Sequence, residues 1–164
     1  MNTIKNIYKN EGSETVEFSF QIHSGKKVPT LELKKFYKKN GHKGRIEVGD
    51  TCAWLSTNHS IVAALRLSPS HTSQGDYLLL RSLWVAKELR GQSLGSNLLK
   101  QVTRYLHENR MSCYCLTYPH LNAFYLSNGF IAISDDEAPT TLAQRFKRYK
   151  KRGDRFIIMK LKPK

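Results

Sequence analysis

A chain of 164 residues with a formal net charge of +14 is long enough to bury a sizeable core, and one domain over 1–164 is the expectation. No run of about 18 apolar residues occurs, which excludes a spanning helix and a membrane partner of that kind. Met1-Asn2-Thr3-Ile4-Lys5 lacks the apolar stretch of a secretory signal, and Cys52, Cys113 and Cys115 are odd in number with no C-x-x-C pair. That pattern fits reduced thiols in a cytoplasmic protein better than a disulfide framework. The six His residues show no ligand spacing, so no metal is expected.

The charge is concentrated. Residues 26–45 hold eight Lys and Arg against Glu32, and residues 145–164 hold ten against Asp154. Such patches attract nucleic acid, acidic proteins or polyphosphates. A solvated basic surface accounts for them equally well.

Val16 to Ile22 alternates apolar and polar residues and predicts a half-buried strand. Pro29 to Tyr37 reads as a helix with Pro at its start, ended by Asn40-Gly41. Thr51–Ser56 and Ser60–Leu67 are strand-like runs around a Thr57-Asn58-His59 turn, and residues 69–75 read as a loop. Tyr77 to Val85 is apolar enough for a central strand buried on both faces. The next segment, ending near Asn109, places Leu94, Leu98, Leu99, Val102, Tyr105 and Leu106 on one side of a helix. Ser112–Thr117 is a strand stopped by Pro119. Leu121–Asn128 is a short helix closed by Gly129, and Phe130–Ser134 is a strand. Thr140–Lys151 is a helix and Arg155–Leu161 a last strand. This order implies an α/β (α+β) fold with a mixed sheet flanked by helices.

The junction between the Tyr77 strand and the helix after it carries the functional signal. Leu83-Trp84-Val85 runs through Arg90-Gly91-Gln92-Ser93-Leu94-Gly95-Ser96 into the helix. A strand-to-helix turn of this kind presents backbone N–H groups at the positive end of the helix dipole, where a phosphate docks. Gly91 and Gly95 lack a Cβ and leave room for a ligand. The P-loop is excluded because Ser96-Asn97, not Lys-Ser/Thr, follows Gly95. The dinucleotide fingerprint does not fit either.

The stretch resembles the pyrophosphate loop of the GNAT superfamily of acyl-CoA-dependent N-acyltransferases, Q/R-x-x-G-x-G/A. Arg90 holds the first position and Gly95 the last, with Ser93 in place of the first Gly. A second block, Asn122-Ala123-Phe124-Tyr125-Leu126-Ser127-Asn128-Gly129-Phe130, is similar to the family's A-x-x-F-Y-x-x-x-G-F junction. Leu121 stands where that pattern has Ala, and Tyr118 where it has Asn. The resemblance spans residues 77–130. It implies an acyl-CoA cleft between two splayed parallel strands, the one ending at Val85 and the one at Cys113–Thr117. In that arrangement the pantetheine pairs with the main chain of Leu83, Trp84 and Val85, and the N–H groups of Gly91 to Ser96 hold the pyrophosphate, with Arg90, Lys100 and Arg104 near the remaining phosphate.

The reaction so implied is attack of a neutral amine on the thioester of acetyl-CoA in a ternary complex. Tyr125 is the candidate acid for the leaving thiolate, because a phenol with a pKa of about 10 is protonated at neutral pH; a core aromatic is the plain alternative. The family's Glu on the strand before the loop falls near Leu79, so no base is evident. Asp76, His71 and His120 are the titratable neighbours in sequence, each as well explained as a loop residue. An α-amine with a pKa of about 8 needs a base least, which favours an α-amine or small amine as acceptor. Asp135-Asp136-Glu137 either receives a cationic amine or stabilises the start of the Thr140 helix. Two other readings stay open. One is a nucleic-acid- or ribosome-associated member that acetylates aminoacyl-tRNA. The other is a non-catalytic nucleic-acid-binding module with a degenerate acyl-CoA site, favoured by Ser93 and Leu79 and opposed by Arg90, Gly91, Gly95 and Tyr125. Composition leaves monomer and homodimer open.

Overall fold

The computed structural model describes residues 4–9, 15–58 and 60–164. Eight strands and four α-helices follow in order: β1 Ile4–Lys9, β2 Thr15–Ser24, α1 Thr30–Lys39, β3 Thr51–Thr57, β4 Ser60–Ser70, β5 Tyr77–Val85, α2 Leu94–Glu108, β6 Cys113–Thr117, α3 Asn122–Ser127, β7 Phe130–Ile133, α4 Thr140–Lys151 and β8 Ile157–Leu161. The fold is mixed α/β, with a mixed β-sheet flanked by helices, as the order of elements implied. Two compact units divide the chain, residues 1–68 with 82–102 and residues 69–81 with 103–164. The division crosses β5 between Arg81 and Ser82.

In the first unit β1, β2, β3 and β4 pair antiparallel in sequence order. β1 has no counterpart among the expected elements. The β3–β4 turn contains Asn58 at φ 46, a conformation Asn tolerates; His59 of the expected turn lies outside the described residues. α1 lays Leu33, Phe36 and Tyr37 on Cys52, Trp54 and Ala64. Its end is closed by Asn40, whose Nδ2 donates to the Phe36 carbonyl at 2.8 Å, and by Gly41 at φ 79. β4 runs to Ser70, through the Pro69 that the sequence assigned to a loop. Pro69 lies beyond Leu67, the last β4 residue in the ladder with β3, so its missing N–H removes no bond from that ladder.

Beneath α1 a buried ion pair organises the unit. Arg66 and Asp50 meet at 3.0 Å with side chains 4% and 2% exposed. The other Asp50 acceptor sites are filled by the Glu47 N–H at 2.9 Å and the Ser68 hydroxyl at 2.7 Å. The Arg66 Nε–H donates to Ser82 Oγ at 3.0 Å. Ser82 stands at φ 56 inside β5, and the Tyr37 hydroxyl donates to its carbonyl at 3.0 Å. A non-glycine residue in this conformation persists only where its surroundings hold it. Here the Arg66 and Tyr37 side chains do, with Asp50 holding Arg66 in turn.

In the second unit Leu78–Leu80 of β5 pair parallel with Cys113–Cys115 of β6, β8 pairs antiparallel with β6, and β7 with β8. Tyr77, Leu79 and Leu80 are buried, whereas Arg81 to Val85 are half-buried. This corrects the expectation of a strand sealed on both faces throughout. α4 packs Leu142 against Tyr77, Leu79, Tyr114 and Ile158. Its first N–H and the Thr140 hydroxyl both donate to Gln74 Oε1 at 3.0 Å, so the loop before β5 caps the helix. Glu137 is occupied elsewhere: its Oε2 accepts the Ser134 N–H and hydroxyl. Those hydrogen bonds hold its pKa below the ordinary value.

Truncating one member of the buried pair leaves the other charged and unpaired, which costs about 3–5 kcal/mol. Asp50→Ala is therefore expected to lose that much stability in urea unfolding, and Asp50→Leu combined with Arg66→Met to lose distinctly less.

Candidate active site

The path from β5 to α2 is built from short-range bonds. The Ala86 N–H donates to the Val62 carbonyl at 2.8 Å, and the Leu89 N–H to the Ala86 carbonyl at 2.9 Å, closing one 3-10 turn over Lys87–Leu89. Arg90 to Ser93 then turn the chain. α2 starts at Leu94, which is buried with Leu98 and Leu99, and its first bond runs from the Asn97 N–H to the Ser93 carbonyl at 2.9 Å. The N–H groups of Gly91, Gln92, Ser93, Leu94 and Gly95 all precede that bond and have no intrahelical acceptor. They sit at the positive end of a 15-residue helix. This is the strand-to-turn-to-helix junction that the sequence predicts.

Two residues of the turn have positive φ, Gly91 at 79 and Ser93 at 60. A Cβ on Gly91 would meet nothing within 4 Å, so glycine serves there for conformation and not for room on the protein side. Ser93 stands where the family pattern has Gly and carries a left-handed backbone with a side chain. Gln92 and Ser93 are exposed, Gly95 and Ser96 half-buried.

Arg90 folds back over β5. Its guanidinium lies 5.4 Å from the Trp84 ring centroid and its Nε–H donates to the Val85 carbonyl at 3.2 Å. That carbonyl is therefore engaged by the chain itself, and the acceptors that Leu83–Val85 hold for an extended ligand are reduced accordingly. Trp84 is fixed in turn: its indole N–H donates to the Asn40 carbonyl at 2.9 Å, and Asn40 Oδ1 accepts the Lys87 N–H at 3.0 Å. The end of α1 thus positions the end of β5.

His42 is the residue that sequence reasoning missed. Its ring stacks on Trp84 at 4.8 Å and 14° and stands edge-on to Tyr37 at 4.8 Å. Its Nε2 is closed off from solvent without a hydrogen-bond partner. Burial, then the charge of Arg66, lowers its pKa below 6.5, so the ring is neutral at pH 7. Gly44 covers it, for a Cβ there would lie 2.6 Å from Nε2. Nothing in the local sequence marks His42; the closure of α1 brings it to β5.

Tyr125 lies in the second unit, on α3, 6% exposed and edge-on to Phe124 at 5.1 Å and Phe130 at 5.5 Å. Its hydroxyl shares hydrogen bonds with Cys115 and Thr117. Burial, then the neighbouring Cys115 and Cys113 thiols, drives its pKa far above the ordinary phenol value, so it keeps its proton at any working pH. The other titratable candidates are otherwise occupied: His71 pairs with Asp76 at 3.1 Å in the open, His120 stacks on Tyr118, and Asp135 reaches Lys147 at 3.7 Å. Leu79 lies in the apolar cluster with Leu142.

The sequence matches the acetyltransferase (GNAT) domain over residues 49–132. The chain belongs to the GNAT acetyltransferase family. Among solved structures the fold of this GNAT protein is similar to Escherichia coli ElaA, with TM-score 0.61, 14% identity, and 88% of this chain and 99% of that one covered. It is also similar to a GNAT-family acetyltransferase described as putative from Desulfovibrio desulfuricans, with TM-score 0.63, 16% identity and coverage of 88% and 98%. A third likeness is N-acetylglutamate synthase from Neisseria gonorrhoeae complexed with coenzyme A and N-acetyl-glutamate, with TM-score 0.59, 18% identity, and 88% of this chain against 34% of that longer one. No curated protein matches the sequence.

Left-handed backbone costs a residue with a Cβ about 1–2 kcal/mol, and glycine gives back about 0.5–1 kcal/mol through chain entropy. Ser93→Gly is accordingly expected to raise the urea midpoint slightly, and Ser93→Val to lower it clearly. Equal midpoints for the two variants would contradict the assigned backbone.

Proposed function

We propose that this GNAT protein transfers an acetyl group from acetyl-CoA to a primary amine, by direct attack within a ternary complex. The observation that carries the reading is the Arg90–Ser96 turn at the start of α2, whose ordered N–H groups suit a pyrophosphate. In this reading the main chain of Leu83, Trp84 and Val85 receives the pantetheine, and an N–H of that segment polarises the thioester carbonyl. The amine lone pair forms the new C–N bond, and the C–S bond breaks as the tetrahedral adduct collapses. The family resemblance assigns Tyr125 as the acid for the departing thiolate, and its burial keeps it protonated. His42, neutral and with an unused Nε2, takes the proton released by the amine, with Gly44 giving way to admit the acceptor. An α-amine or small amine is the favoured acceptor, since it depends least on a strong base.

Acetyl-CoA at about 100 times its Kd adds roughly 2.7 kcal/mol to stability, on the order of 5–10 °C in Tm for a chain of this length. Thermal unfolding with the saturating ligand should show that shift, and Gly95→Asp should abolish it while remaining folded. A folded wild-type protein without any shift would end the acetyltransferase reading.

Tyr125→Phe keeps the buried ring and removes the proton donor. It is expected to retain the Tm shift and to lose on the order of 100-fold in kcat. His42 must be neutral to accept a proton, and its pKa is lowered. The rate should therefore rise with pH on a limb whose midpoint lies below that of an ordinary imidazole, and that limb should vanish in His42→Gln. The acceptor amine's own titration persists at higher pH in both proteins. A pH profile identical in wild type and His42→Gln would remove His42 from the mechanism.

A further inference from the structure

The second unit carries a row of aromatic rings that the proposed reaction does not use. Tyr118, the first residue after β6, is 46% exposed. Its ring lies parallel to that of exposed His120, at 5.9 Å and 14°, and 4.8 Å from Phe156. Phe156 in turn meets Tyr149 edge-on at 5.3 Å. The row is assembled by the end of α4. The Arg152 and Asp154 N–H groups both return to the Tyr149 carbonyl, at 3.0 and 3.1 Å, with Gly153 at φ 89. This tight turn folds Phe156 back beside Tyr149 and leaves Arg148, Arg152 and Arg155 exposed around them.

The surroundings are of one sign. Asp154 is the lone acid between residues 145 and 164, against ten Lys and Arg. Tyr118 and Leu121 are also the positions at which the second block departs from the family pattern, and both are exposed, Leu121 at 37%. An exposed aromatic in place of a polar residue gains nothing for the core. A stacking surface bordered by arginines has a matching ligand chemistry: unpaired bases, each with a π-face, strung on phosphates.

We propose that the His120–Tyr118–Phe156–Tyr149 row, with Arg148, Arg152 and Arg155, is a binding surface for single-stranded nucleic acid. Bases stack on Tyr118 and its neighbours, and the arginines neutralise the phosphates between them. A duplex has its bases stacked internally and offers only its backbone. The surface therefore discriminates strand from duplex, which charge alone does not do. The inference stands on the second unit alone and holds whether or not acetyl-CoA binds.

The test is fluorescence anisotropy of the full chain with labelled 15-nucleotide oligouridine and oligothymidine, and with a blunt duplex of equal length, between about 50 and 200 mM salt. The expected result is that at least one of the single strands binds at least tenfold tighter than the duplex. Tyr118→Ala, at an exposed position, should weaken strand binding about tenfold with unchanged Tm, and Phe156→Leu should do so while keeping apolar bulk. Arg152→Glu with Arg155→Glu should weaken binding and flatten its salt dependence. Three results would each overturn the proposal: no strand binding by wild type, equal affinity for the duplex, or wild-type affinity in Tyr118→Ala. The last two would leave a basic surface that attracts polyanions generally.

Discussion

The architecture of the candidate site depends on a buried pair of charges. Arg66 and Asp50 are placed where an unpaired charge is very costly, and Asp50 also accepts from the Glu47 N–H and the Ser68 hydroxyl while Arg66 also donates to Ser82. What this arrangement secures is the backbone of Ser82. A left-handed residue within a strand re-aims the side chains that follow it. The parallel ladder of β5 with β6 ends at Leu80, and Ser82 comes two residues later. Without the Arg66 bond to its hydroxyl and the Tyr37 bond to its carbonyl, nothing would favour serine in this conformation over a regular strand, and Leu83 to Val85 would present other faces. The segment proposed to receive the pantetheine thus follows a residue held from sixteen and forty-five positions away in sequence.

The same logic recurs at the turn. Ser93 also holds a left-handed backbone, and it too precedes a segment whose main-chain N–H groups are proposed to bind the ligand. A backbone recognition site requires little of its side chains and much of its φ angles. The family resemblance is accordingly carried by Arg90, Gly91 and Gly95, and a Ser in place of Gly alters backbone strain while keeping its N–H.

Elements with a strong local signal were legible in the sequence. β5 and α4 run over the residues expected, because β5 is strongly apolar on both sides of Arg81-Ser82 and α4 carries Leu142, Phe146 and Tyr149 at helical spacing. α2 begins where its glycine turn said it would. β1 was not foreseen, and β4 was drawn too short because Pro69 was taken as a stop; the ladder with β3 had already ended. The candidate site was legible only where a motif names it. Gly91, Ser93 and Tyr125 enter the proposal in this way. Asp50, Arg66, Tyr37 and His42 were not, because their roles arise from contacts between residues distant in sequence.

The missing carboxylate has a structural cause. In the family pattern a Glu falls near Leu79, but here Leu79 is packed with Tyr77, Tyr114, Ile158 and Leu142 of α4. A carboxylate at that position would be buried beneath an apolar helix with no partner for its charge, at a cost no single hydrogen bond offsets. With α4 packed over Leu79, a charged base is disfavoured at that position of β5. A proton acceptor in such a protein has to come from another element and be neutral before the acceptor arrives. An imidazole whose pKa is lowered by burial and by a nearby guanidinium meets both conditions. Its weak basicity suits an amine that has already lost its proton near neutral pH and suits a lysine side chain far less. The apolar packing of Leu79 is thus the structural ground on which an acceptor of low pKa is proposed.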